Sequence, residues 1–128
     1  MYKKVMVIDD TYEDRYVVKR INQKYPFSED LILMESAADA LDYLLSKADA
    51  SEELPDIIFL DIRMPEIDGF GFLERFERMP DTVKKKMIII MLTSSLSPED
   101  HKKAMNNKYV HQFINKPFTI EEVNKISL

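Results

Sequence analysis

The sequence predicts a doubly wound α/β domain, a parallel sheet of five strands with five helices covering both faces. Two observations predict it. Five short apolar runs rich in branched residues alternate with longer stretches of helical period, the pattern of strand-helix units feeding a parallel sheet. The chain has 128 residues, enough to bury one real core and too few for two comfortable ones.

The first strand is Val5 to Ile8, and behind it Val17, Val18, Ile21 and Tyr25 form one helical stripe. The second strand is Leu31 to Met34, followed by a stripe of Ala37, Leu41, Leu44 and Leu45. The third, Ile57 to Leu60, is apolar throughout and stops at Asp61, with Pro65 and Gly69 in the loop beyond it. Leu73, Phe76 and Met79 make the third stripe. Core packing is the expected role of all three stripes. The fourth strand is Met87 to Leu92, and the helix after it announces itself at Ser97, a capping residue with Pro98 in the first helical position and Asp100 three residues after the cap. The fifth strand is Val110 to Ile114, and Thr119 with Glu122 reads as a capping box for the fifth helix. Few residues follow before Leu128, so that helix is short or the sequence stops at a domain boundary. The chain shows no internal repeat, low-complexity tract or linker, and its eight methionines are scattered as core gap-fillers would be.

Composition narrows the function. The net charge is -5, and Lys84, Lys85 and Lys86 are the only run of three basic residues, so no basic face for direct nucleic-acid binding is expected. Without cysteine there is no disulfide framework and no thiolate metal site, which suits a reducing compartment. The opening MYKKVMVIDD reaches two aspartates after a very short apolar stretch and reads as neither a secretory signal nor a membrane span; a cytoplasmic location is the default. His101 and His111 lack a carboxylate partner at metal spacing and read as ordinary surface or helix-face residues.

In a parallel sheet of this kind, ligands bind where the carboxyl ends of the strands meet a topological switch point. Asp9 and Asp10 follow the first strand, Asp61 ends the third, Thr93 and Ser94 end the fourth, and the fifth runs into Lys116 and Pro117. Taken singly, each has an ordinary explanation as a turn residue, a cap or a solvated side chain. Together at four strand ends they describe one pocket. Three carboxylates brought close cannot all stay ionised without a cation, and oxygen ligands with no His or Cys select Mg²⁺ or Mn²⁺ over zinc. Lys116 and the Thr93 hydroxyl then suit phosphate oxygens, and a carboxylate can take a phosphoryl group as an acyl phosphate, so the inventory fits phosphoryl transfer with Asp61 as nucleophile.

Four segments resemble, in order and at the usual spacing, the receiver domain of bacterial response regulators, the phosphoacceptor module of two-component signalling. They are VMVIDD, IIFLDIRMPEIDG, IIIMLTSS and FINKPF, and the resemblance covers essentially the whole chain, residues 1–128, as one receiver domain of the single-domain chemotaxis-regulator type. It implies a flavodoxin-like sheet of order 2-1-3-4-5 and a phosphorylation-controlled switch that is not a conventional enzyme, charged by a phosphohistidine on a sensor histidine kinase or histidine phosphotransfer protein. On that resemblance Asp61 is the phosphoacceptor. Asp10 binds Mg²⁺ (or Mn²⁺) directly and Asp9 largely through water, with Asp61 and the backbone carbonyl of Arg63 completing the protein ligands. Thr93 follows the phosphoryl group on activation and Lys116 pairs with it. Phe113, three positions before the lysine, takes the place of the aromatic that turns inward, without a phenol hydroxyl to hold an outward state.

Output is expected through binding of a protein partner at the face of the fourth helix, fifth strand and fifth helix, or through onward transfer in a relay, or as part of a longer protein. The sequence departs from the family before the fifth strand, where NNKYV replaces the usual Gly-Ala pair; Asn106 or Asn107 is expected to take the left-handed turn that Gly supplies. Arg63 and Ser95, each two positions after a key residue, occupy sites that in the family influence acyl-phosphate hydrolysis.

Three other readings compete. An aspartate-based Mg²⁺ phosphatase needs an acid two residues after the nucleophile, where this chain has Arg63. A flavin or dinucleotide binder needs a Gly-rich or hydroxyl-rich loop after the first strand, where this chain has DDTYEDR. A receiver-like module that is never phosphorylated would be marked by loss of an acid, the Thr or the Lys, and none is lost.

Overall fold

A computed structural model describes residues 1–126. The chain order is β1 (Tyr2–Ile8), α1 (Tyr12–Lys24), β2 (Ser28–Met34), α2 (Ala37–Ser46), a 3₁₀ turn (Ser51–Glu53), β3 (Ile57–Leu60), α3 (Gly69–Glu77), α4 (Asp81–Lys84), β4 (Ile88–Thr93), α5 (Pro98–Met105), β5 (Val110–Asn115) and α6 (Ile120–Asn124). The five strands form one sheet in the order β2-β1-β3-β4-β5, and every neighbouring pair is parallel.

Alternation along the strands builds two cores. Met6, Ile8, Ile58 and Leu60 pack with Ala40, Leu44, Phe72 and Phe76, so α2 and α3 cover one face. Val5, Val7, Ile57 and Phe59 pack with Val18, Phe118 and Val123, so α1 and α6 cover the other. The inner strands are apolar on both sides because both sides are dry.

The predicted elements are all present, with differences at their edges. A sixth α-helix, the single turn of α4, follows Pro80; its four residues, DTVK, are too few and too polar to show a stripe. β1 and β2 begin earlier than their apolar runs because the ladder extends to the pairs Tyr2–Ser28 and Lys4–Asp30, whose polar side chains do not read as a buried strand. Three members of the helical stripes lie outside the core: Val17, Tyr25 and Leu45 are 40%, 49% and 53% exposed. Neither Asn106 nor Asn107 is left-handed. Asn106 has φ of -83°, and Asn107 accepts the Tyr109 N–H at 2.9 Å on its side-chain oxygen, an Asx turn that does the work of the missing glycine. The left-handed non-glycine among the described residues is Glu66, φ 66°, in the loop after β3.

That loop is held by Gly69, whose N–H donates to the Ile62 carbonyl at 2.8 Å. A Cβ there would stand 2.5 Å from the Asp61 carbonyl oxygen, a backbone atom that cannot swing aside. Replacing Gly69 by Ala is expected to destabilise the fold by about 1–3 kcal/mol, the range for overpacking a close contact. Replacing Glu66 by Gly should instead be neutral or stabilise by about 0.5 kcal/mol, since relief of the left-handed strain outweighs added chain entropy. Urea denaturation of both variants checks the pair of signs.

Candidate functional site

The parallel ladders decide which side chains meet. Ile8 pairs with Leu60 on one side and Met34 on the other, so the next residue of each strand emerges at the same sheet edge. The Asp61 N–H donates to the Ile8 carbonyl at 3.0 Å and the Asp9 N–H to the Met34 carbonyl at 3.1 Å, extending the ladders one step. Asp9 and Asp61 are thereby neighbours, buried to 1% and 6% exposure, and Asp10 lies beside them with its carboxylate in solvent. One oxygen from each of the three lies within 4.8 Å of the others.

Asp9 is fixed twice: its carboxylate accepts the Thr11 N–H at 2.9 Å, and its carbonyl accepts from the buried Arg15 guanidinium at 2.8 Å. Arg15 also reaches Glu35 at the end of β2, at 3.2 Å.

Lys116 comes in from β5. Its N–H donates to the Thr93 carbonyl at 2.8 Å, and a cis peptide joins it to Pro117. Phe118 then buries its ring against Phe59 and Phe27, with centroids 5.1 Å and 5.7 Å away, which stakes the segment to the core. The Lys116 ammonium lies 2.6 Å from Asp14, 2.9 Å from Asp9 and 3.7 Å from Asp61. Asp14 is the partner that sequence reasoning missed. In the first turn of α1 an acid has a sufficient local explanation in the helix dipole, and only the docking of α1 brings it to the lysine.

The charges oppose one another. Burial raises the Asp61 pKa, the Asp9 carboxylate raises it further, and Lys116 only partly offsets them, leaving Asp61 at about 6. Burial alone would lower the Lys116 pKa, but its hydrogen bonds to Asp14 and Asp9 and the field of Asp61 outweigh that and hold it above the ordinary lysine value.

Thr93 ends β4 at 1% exposure, and its hydroxyl accepts the Ser95 N–H at 3.0 Å. A second network begins at Ser95, whose hydroxyl donates to the buried Asp100 at 2.8 Å. The Arg63 side chain crosses from the β3–α3 loop to pair with the same Asp100 oxygen. Asp100, read from sequence as a helix-start acid, is thus also a tertiary anchor. The His101 ring nitrogen contacts the Ser95 carbonyl at 3.1 Å, and its ring packs on Phe113 with centroids 4.2 Å apart. His101 is therefore a half-buried packing residue on α5, while His111 on β5 is exposed. Phe113 sits opposite Met91 in the β4–β5 ladder, away from the carboxylates.

Three clustered carboxylate oxygens with no nitrogen or sulfur donor suit a hard divalent cation, and that cluster could hold one. Among the described residues no helix is long and apolar enough to cross a membrane.

Comparison with known proteins agrees with the fold. The family model for the response regulator receiver domain matches residues 5–127, and the chain belongs to that family. A two-component response regulator from Cytophaga hutchinsonii superposes with a TM-score of 0.86 at 29% identity, over 96% of this chain and 92% of that one. A probable methanogenesis regulatory protein, FilR2 of Methanothrix harundinacea, is 24% identical over 94% of this chain and 76% of its own length. Hybrid signal transduction histidine kinase L of Dictyostelium discoideum is 32% identical over 96% of this chain, which spans only 7% of that protein. Receiver domains of this family are generally phosphoacceptor switches of two-component systems rather than classical enzymes.

The raised Asp61 pKa has a thermodynamic consequence in metal-free protein. Between about pH 4 and about 6 the native state keeps a proton on Asp61 that the unfolded chain has released, so this group's contribution to stability is lost as pH rises through that window. In EDTA at pH 7, Asp61→Asn should stabilise the fold by on the order of 1–3 kcal/mol, the shift converted at about 1.4 kcal/mol per pH unit as an upper bound. At pH 4 the gain should vanish. Urea titrations at the two pH values test this; equal stability of variant and parent at pH 7 would mean that burial and the neighbouring carboxylates do not disfavour the ionised Asp61 as described.

Proposed function

We propose that residues 1–128 act as one receiver module that accepts a phosphoryl group on Asp61 and signals by a change in partner binding. The observation that carries this reading is the Asp61 carboxylate, 6% exposed at the carboxyl edge of the sheet, with two further carboxylates and the Lys116 ammonium around it. The donor is a phosphohistidine on a sensor histidine kinase or a histidine phosphotransfer protein. A histidine kinase is among the relatives by name, which supports that class of donor.

An Asp61 oxygen forms the new P–O bond as the P–N bond to the donor imidazole breaks, and the bonding electrons leave on the imidazole nitrogen, which takes up a proton. The product is an acyl phosphate. Asp9, Asp10, Asp61 and the backbone carbonyl of Arg63 would hold Mg²⁺ (or Mn²⁺), which when bound offsets the negative charge of the carboxylates and of the transferring oxygens. Lys116 supplies an N–H to one phosphoryl oxygen and the Thr93 hydroxyl hydrogen-bonds another.

Drawing Thr93 toward the phosphoryl group breaks its bond to the Ser95 N–H, and Phe113, which no hydroxyl tethers, turns inward. The output surface is the face of α5, β5 and α6, and its target is a protein rather than nucleic acid. A cytoplasmic location goes with this reading.

Intact mass after incubation with Mg²⁺ and acetyl phosphate or phosphoramidate tests it. The expected result is a gain of one phosphoryl group that EDTA and Asp61→Asn abolish, with Asp10→Ala requiring more Mg²⁺ for the same yield. No gain with either donor, in folded protein shown to bind Mg²⁺, would favour a receiver-like binding module that works without phosphate.

A further inference from the structure

The Lys116 ammonium has three N–H donors and faces three carboxylates at unequal distances. Asp14 is closest at 2.6 Å, Asp9 follows at 2.9 Å, and Asp61 at 3.7 Å is beyond ordinary hydrogen-bond reach. The three also differ in freedom. The Asp9 side chain is 2% exposed and pinned by the Thr11 N–H, whereas the Asp14 side chain is 39% exposed and projects from the first turn of α1, where Lys116 is its hydrogen-bond partner. Lys116 itself is held from behind by the Thr93 carbonyl and the buried Phe118, so its ammonium can swing only at the end of its stem.

We infer that Asp14 is a positioning residue, a resting-state counter-ion that holds the Lys116 ammonium off Asp61 and must surrender it when a phosphoryl group arrives there. This rests on the proposed role of Asp61. A phosphoryl oxygen on Asp61 has to win the ammonium from a carboxylate that already holds it at short range. Asp14 is the partner able to yield, because it can turn into water and be hydrated when released; Asp9 is enclosed and cannot. Asp14 therefore weakens the hold of the site on a phosphoryl group by competition for one lysine. The charge-assisted bond is partly exposed, so the competition amounts to about threefold to tenfold in affinity.

The test uses the whole protein and beryllofluoride, a phosphoryl mimic, titrated in the presence of Mg²⁺ and followed by amide NMR shifts, which also report that each variant is folded. Asp14→Asn should lower the half-saturating beryllofluoride concentration about threefold to tenfold, and Asp14→Glu, which can still reach the lysine, should restore the parental value. In a Lys116→Ala background, adding Asp14→Asn should change nothing. A gain that persists without the lysine would show general charge repulsion in place of competition, equal binding by Asp14→Asn would show no competition, and weaker binding would show that Asp14 helps the lysine; any of these results overturns the inference. Absence of beryllofluoride binding by the unaltered protein would instead remove the phosphoacceptor reading and this inference with it.

Discussion

The rest of the site depends on one charge problem. Parallel pairing places Asp9 and Asp61 side by side at a buried sheet edge with Asp10 close by, and their carboxylates repel in a medium that screens poorly. The Lys116 ammonium, tied to Asp9 and Asp14, is the compensating charge that the chain itself provides. It does not balance the account, and Asp61 remains hard to ionise at about 6. The domain thus keeps at its functional edge an arrangement that costs stability in the absence of a cation, and anything positive that binds there is repaid by relief of that cost.

The apolar core is what makes such an arrangement tolerable. β1 and β3 lie in the middle of the sheet, and from Val5 to Ile8 and Ile57 to Leu60 every residue is buried. Interior strands packed on both faces cannot slip without exposing a whole row of side chains, so the residues at their ends are held in register. Lys116 gains its precision the same way, from the ring of Phe118 among Phe59 and Phe27. Gly69 completes the frame by letting the start of α3 approach the Asp61 backbone more closely than any side chain would allow.

Much of this was legible in the sequence, for identifiable reasons. Buried strands write themselves as short apolar runs, and helix starts such as Ser97 and Thr119 carry a capping side chain; both hydroxyls do accept the expected N–H, from Asp100 and Glu122. The acids and the lysine at the strand ends were readable because the fold class says where strand ends converge. What was not legible depends on docking between distant elements. Asp14 and Lys116 are 102 residues apart, and Arg63 and Asp100 are 37 apart; nothing local distinguishes either pair from solvated charges. Val17, Tyr25 and Leu45 misled because helical periodicity marks the apolar side of a helix without saying how wide the buried strip is. The asparagines before β5 misled for another reason: a side-chain hydrogen bond makes a turn without a left-handed backbone.

Thr93 is where the two halves of the site meet. Its carbonyl accepts the N–H of Lys116, and its hydroxyl accepts the N–H of Ser95. Ser95 is bonded in turn to Asp100 and His101 on α5, and the His101 ring lies on Phe113. A ligand that drew the Thr93 hydroxyl to itself would leave the Ser95 N–H without its acceptor, in a loop whose next fixed points are the Arg63–Asp100 pair and the start of α5. The response would be a discrete rearrangement, because a part-buried N–H that loses one partner needs another. Phe113, with no hydroxyl, is held by packing against His101 on α5 and against the core, contacts that have no directional bond to break. On the proposed switch, the loop from Ser95 to Ser97 would be the element that rearranges, and Arg63, which spans from the loop after β3 to Asp100, the contact it would have to accommodate.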